Sequence, residues 1–266
     1  MENFDFELFY DKQSDYAEFR NDHDKREDYS VIADWKVRKL LQLLPDNFIA
    51  NNILEVGCAF GVLLNNIADR LHLKYRIGID ISGNNIEAAK NLYPECNFFH
   101  GTLEEFLKSF NDEIQNHHFD IIVLSDIVEH IPDDLEFLKA VKKTCSYVLL
   151  NLPLEKSFIT RNRKYGEQDP SGHLRSYNEK NALQLVNKAG FEVVRSFTAI
   201  SFSDKRIYNL VTKNRRSRLR SKPLLKRLFW SLFYFFEDKL KLINKRFSER
   251  LFGTNYFALL KSNTSF

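Results

Sequence analysis

From residue 52 onward, short runs rich in apolar and β-branched residues alternate with stretches whose apolar positions recur at helical spacing. Ile53–Val56, Arg76–Ile79, Asn97–Phe99, Asp120–Leu124 and Tyr147–Leu150 are the predicted strands of this region. Such alternation predicts a parallel sheet, because each parallel return needs a crossover long enough to hold a helix, and those crossovers are right-handed. Ser176-Tyr-Asn-Glu179 predicts a capping box that starts one further helix, which Ala189-Gly190 ends. A strand from Phe191 to Ile200 follows, and Tyr256–Leu260 is the last. The expected fold class is α/β, a doubly wound, mostly parallel sheet of seven strands.

Both ends of this pattern carry additions. Ala33, Val37, Leu40, Leu41 and Leu44 form one helical stripe, while Val31, Ile32 and Trp35 fall off it and predict contact with a second surface. Between the last two strands, Ser221-Lys-Pro223 is a helix start, after which Leu228, Leu232, Phe235, Phe236, Leu240 and Phe247 recur among Lys and Arg. The chain therefore divides into an N-terminal helical segment over 1–48, expected as a lid and substrate side, and a core over 49–204. A basic amphipathic helical insert over 205–252 and a final strand and tail over 253–266 complete it.

Charge sharpens that division. Lys205–Arg250 holds 15 Lys or Arg against three acids, a net of +12, so the rest of the +3 chain carries −9. An acidic body with a basic accessory segment points to an anionic surface. The longest apolar run, Leu228–Phe236, is broken by Ser231 and is far shorter than the ~20 residues of a spanning helix. With 44% hydrophobic and 28% charged residues, a disordered chain is excluded. Cys58, Cys96 and Cys145 form no CxxC pair, so a disulfide framework and a thiolate zinc site are excluded. The acidic start offers no secretory signal, and a cytoplasmic protein is expected, peripheral at the inner face of the membrane through the insert.

The segment that carries chemistry is Ile53-Leu-Glu-Val-Gly-Cys-Ala-Phe-Gly61, a strand entering a Gly-containing turn and then a helix. A dinucleotide fingerprint requires glycines at 57, 59 and 62, where this chain has Gly57, Ala59 and Val62. Glu55 with Gly57, Ala59 and Gly61 instead resembles the first motif of the class I S-adenosylmethionine-dependent methyltransferases. Asp80, ending the second strand, and the segment from Phe119 through Ser125 and Asp126 to Pro132 continue the resemblance, which spans residues 50 to 200. It implies a Rossmann-like fold and S-adenosylmethionine as cofactor, held by Glu55, Gly57, Cys58, Ala59, Gly61, Asp80, Ile81, Thr102, Leu103 and Ser125. In that family Glu55 helps hold the methionine ammonium and Asp80 accepts hydrogen bonds from the ribose hydroxyls; Thr102 stands where an Asp is common.

His130, after the fourth strand, and His173, in a turn before the capped helix, are the candidate bases for a hydroxyl acceptor. The acceptor pocket is expected between His130, the Asp169–Tyr177 loop and the N-terminal residues Tyr10 and Tyr16. Asp126, Glu129 and His130 sit at i, i+3, i+4, and with His173 they are the donors a divalent metal ion would use. This spacing resembles an element of ubiquinone-pathway and small-RNA O-methyltransferases, but relatives without metal share the Glu-His pair, so no metal is assigned. The acceptor expected is a small molecule, a sugar or a lipid-linked compound, methylated on oxygen. An RNA-modifying enzyme that uses the basic insert on phosphates, and a non-catalytic methyltransferase-like interaction protein, are the competing readings.

Overall fold

The computed structural model describes residues 6–12, 19, 22–109, 118–156, 160, 162–166, 169, 171–243 and 254–263. The sheet has seven strands in the order β3-β2-β1-β4-β5-β7-β6. They are β1 (Asn52–Val56), β2 (Tyr75–Asp80), β3 (Asn97–His100), β4 (Phe119–Ser125), β5 (Cys145–Leu154), β6 (Phe191–Ala199) and β7 (Thr254–Ser262). β1 to β5 pair in parallel, and β7 is antiparallel to both β5 and β6. The order reverses between β1 and β4, where crossovers leave in opposite directions and open a crevice beyond the strands' carboxyl ends.

Successive residues of a strand point to opposite faces. Leu54, Ile122 and Leu150 pack under α5 (Leu103–Ser109), α6 (Asp134–Lys142) and α7 (Glu179–Lys188), through Phe106, Leu138 and Val186. Ile53, Ile121 and Leu149 pack on the other face against α2 (His23–Leu41) and α3 (Val62–Arg70), through Leu40 and Ile67. Trp35 supplies the second surface expected of residues off the α2 stripe, meeting Phe257 of β7 edge-on with ring centroids 5.4 Å apart. Helix α2 begins ten residues before that stripe because the Asp22 carboxylate accepts hydrogen bonds from Asp24 N and Lys25 N.

Two local expectations shift. The capping box before α7 is Asn178 with Asn181, not Ser176 with Glu179. The two-residue delay leaves Tyr177 in the preceding loop, where it is buried and its hydroxyl donates to Asp134 Oδ2 at 2.6 Å. The helix expected after Ser221–Pro223 is α9 (Leu224–Ile243), and the insert holds a further helix before it, α8 (Lys205–Arg220); Phe247 lies outside the described residues. The remaining helices are α1 (Phe6–Lys12) and α4 (Gly83–Leu92).

Candidate active site

At the switch point a cavity of about 1100 Å³ opens between the ends of β1, β2, β4 and β5 and the short helix α1. Gly57, Ala59, Asp80, Ile81, Thr102 and Leu103 line one part of it, and Asp126, Glu129, His130, Glu155 and His173 line another. The first group comes from the turn after β1 and from the ends of β2 and β3. Gly57 takes φ +74°, and a Cβ there would lie 2.8 Å from Ile127 Cδ1, so no side chain fits without displacing the next loop. Ala59 adopts φ +46°, a left-handed conformation that costs an ordinary residue about 1–2 kcal/mol. Its N–H, aimed by that conformation, donates to Asp80 Oδ2 at 2.8 Å. Ser82 N at 2.9 Å and Asn85 Nδ2 at 3.3 Å donate to Asp80 Oδ1.

Four residues expected to touch the cofactor do not line the cavity: Glu55, Cys58, Gly61 and Ser125. Glu55 is buried behind the turn, where burial drives its carboxyl well above the usual range and the Leu64 backbone N–H, at the start of α3, opposes that rise. Its carboxyl lies beside the start of α3. The Cys58 thiol lies against Gly78 of β2, and a Cβ on Gly61 would meet Phe98 and Tyr93, so both serve packing. Ser125 Oγ accepts from Asn151 Nδ2 at 3.0 Å.

In the second group, the i, i+3, i+4 spacing of Asp126, Glu129 and His130 would put them on one face of an α-helix, but the segment is not α-helical. The backbone turns left-handed at Asp126, φ +53°, and Val128–His130 form a single 3₁₀ turn. Asp126 is ion-paired with Lys36 of α2 and accepts from Asn151 Nδ2 at 3.0 Å. Glu129, His130 and His173 do converge: Glu129 Oε1 lies 3.8 Å from His130 Nε2 and 4.0 Å from His173 Nε2. Glu129 is 1% exposed, and neither carboxyl oxygen has a hydrogen-bond partner among the described residues. Burial, and then the Asp126 charge, push its carboxyl well up.

The two imidazoles are held differently. His130 Nδ1 lies 3.0 Å from Gly172 O and 2.9 Å from the Tyr10 hydroxyl of α1; burial and then His173 push the ring down to about 4, so it is neutral at pH 7. His173 Nδ1 lies 2.7 Å from Glu155 Oε2. Burial works against the Glu155 charge, but His173 and Arg163 outweigh it and hold that carboxyl below its usual range. The Glu155 carboxylate holds the ring by its Nδ1 side and leaves Nε2 turned toward Glu129, 4.0 Å from Oε1. Asp169 fixes the loop, accepting from Arg163 Nε at 2.5 Å and Ser171 N at 2.8 Å.

Glu155, Arg163 and Lys36 escape the sequence reading. The expected fifth strand stops at Leu150, whereas β5 runs to Leu154. A carboxylate just beyond a parallel strand's carboxyl end is the signal that would have found Glu155. Helix α1 lies across the cavity mouth, where Phe6 and Tyr10 line it and Asp11 Oδ1 accepts from Ser82 Oγ at 2.5 Å. Glu7 also pairs with His100 at 3.2 Å, whereas Tyr16 lies outside the described residues.

The profile of a family described as methyltransferase domain matches residues 23–196, most of the chain. The chain belongs to this family. It is a class I S-adenosylmethionine-dependent methyltransferase, as the motifs imply, and the strand order agrees. Among solved structures it is similar to the plantazolicin methyltransferase BpumL, in complex with a monoazolic desmethylPZN analog and SAH, at 16% identity and TM-score 0.55, over 97% of this chain and 94% of that one. It is also similar to phosphoethanolamine N-methyltransferase 2 of Haemonchus contortus at 12% identity and TM-score 0.59, over 98% of this chain and 61% of that one. The cyclopropane synthase MmaA2 of Mycobacterium tuberculosis matches at 14% identity and TM-score 0.55, over 86% of this chain and 82% of that one. These likenesses establish the fold. No curated protein sequence matches the chain.

Proposed function

We propose that this methyltransferase methylates a hydroxyl oxygen of a small-molecule, sugar or lipid-linked acceptor, with His173 as proton acceptor. The Glu155–His173 pair on the cavity wall carries this reading. S-adenosylmethionine supplies a methyl group on a positively charged sulfur, already activated for transfer, so the chain must align the acceptor and manage one proton. Asp80, with two acceptor oxygens at the cavity, suits the ribose hydroxyls. His173 Nε2 receives the hydroxyl proton, and the Glu155 carboxylate orients the ring and stabilises the imidazolium. Neutral His130, buttressed by Tyr10 and Gly172 O, walls the acceptor side, and α1 acts as the lid that excludes water.

Glu129 favours a second reading. An ionised carboxyl buried without a partner is costly, and the Glu129, His130 and His173 ligand atoms all lie within 4.8 Å of one another. Each Nδ1 is held by an oxygen acceptor, the outer-shell arrangement that frees Nε2 for a divalent ion. Such an ion would hold the acceptor oxygen in place of the base.

The test uses ¹³C-methyl-labelled S-adenosylmethionine with fractionated small-molecule, glycan and lipid acceptors. We expect a methyl ether in the product spectrum, and a roughly 10²–10⁴-fold loss of kcat in His173→Ala with SAH affinity by calorimetry unchanged. Glu155→Gln should lower kcat in the same direction. Normal turnover in both variants at saturating acceptor overturns the base reading. Cobalt absorption bands that appear on titration and vanish in Glu129→Gln would install the metal reading.

A further inference from the structure

Helix α9 turns its polar side inward. Trp230, Tyr234 and Asp238, spaced four apart on one face, are half-buried. Arg215 of α8 reaches them, donating to Asp238 Oδ1 at 2.8 Å with its guanidinium carbon 4.3 Å from the Tyr234 ring centroid. The large apolar side chains point the other way: nine on α9 are exposed, among them Leu225 at 82%, Phe229 at 64% and Phe236 at 57%. A helix that packs on its own protein buries its apolar face; this one presents it outward, in a patch larger than scattered surface hydrophobics explain.

The adjoining helix carries cations. Lys213, Arg216 and Arg220 recur on one face of α8 and, with Asn209, Thr212 and Ser217, line a cleft of about 650 Å³. Among the described residues none of the three cations has an ion-pair partner. Exposed Lys226 and Arg227 add charge at the start of α9. A second copy of the chain fits poorly, because a two-fold contact would bring together two segments of net +12. RNA would satisfy the cations but leave the leucines in water.

We propose that the α8–α9 pair is an interfacial membrane anchor, with the apolar face of α9 in the acyl boundary of an anionic bilayer and the Lys213–Arg216–Arg220 stripe on lipid phosphates. No helix among the described residues is long and apolar enough to cross a membrane, so α9 lies in the interface plane. The anchor is independent of which acceptor is methylated, and its test does not use turnover.

Flotation of the full chain with vesicles of phosphatidylcholine alone, and of phosphatidylcholine with phosphatidylglycerol, decides the matter. We expect the protein to float with the anionic vesicles at low salt and to be released by high salt. Combined Lys213→Glu, Arg216→Glu and Arg220→Glu should reduce partition roughly 100-fold or more, about fivefold for each basic residue. Phe229→Ser with Phe233→Ser and Phe236→Ser should also abolish flotation while SAH binding and the melting temperature persist. The proposal fails if the wild type floats with neither composition, or if charge reversal leaves partition unchanged. It also fails if a homopolymeric RNA displaces the protein from vesicles at equal charge, or if the serine variants convert a solution dimer to monomer.

Discussion

Asp80 shows how a single carboxylate is made ready before any ligand arrives. Three donors, two of them backbone N–H groups, hold it at the cavity wall, and the left-handed turn at Ala59 supplies one of them. Asp80→Asn replaces an acceptor by an NH₂ group that either opposes Ala59 N–H or meets the ribose hydroxyls with altered polarity. SAH affinity measured by calorimetry should fall by about 1–3 kcal/mol, roughly 5- to 150-fold. Undiminished affinity with an unchanged melting temperature would remove Asp80 from the cofactor site.

At the scale of elements, the docking of α8 depends on charge as well as on burial of Ile207. Asp34 of α2 pairs with Arg38, Arg70 and Arg206, and Asp204, which caps α8, pairs with Arg38. Burial opposes the Asp34 charge, yet the three guanidiniums hold its carboxyl below the usual range, so the docking persists until the pH falls below about 3.8. These groups are partly exposed, and the network contributes on the order of 1 kcal/mol. Asp34→Asn should therefore speed hydrogen exchange of α8 amides by about fivefold. The amides of α2 should stay protected, and an unaltered α8 would show that apolar packing alone seats it.

For the molecule as a whole, buried titratable groups in and behind the cavity wall make stability depend on pH in opposing ways. His130 falls from 6.5 to about 4 on folding, so between those values the unfolded chain binds a proton that the folded one refuses, and stability drops as the pH falls. The loss amounts to about 3 kcal/mol across that window. Glu129 and Glu55 are raised by burial and do the reverse, so their contribution is lost as the pH rises above 4.5. Urea unfolding at pH 4.5 and pH 7 should show a shallower acid-side decline in His130→Gln than in the wild type. Equal slopes would mean that the ring is not shielded from protons.

Alternating short apolar runs and helical stripes determined the seven strands and the parallel core, because strand and helix periods are local properties of side-chain order. Local order also placed Glu55, Asp80 and His130 at strand ends, where a sheet of this kind binds ligands. It did not decide which of them face the cavity. A left-handed residue at Asp126 turned that carboxylate onto Lys36, and Glu55 lies buried under the β1 turn, off the cavity lining. Glu155, 18 residues from His173, became its partner only when β5 and the following loop folded together. The direction of α9 was likewise tertiary: helical spacing makes its residues amphipathic, but the Arg215 contact with Tyr234 and Asp238 determines that the apolar side faces out.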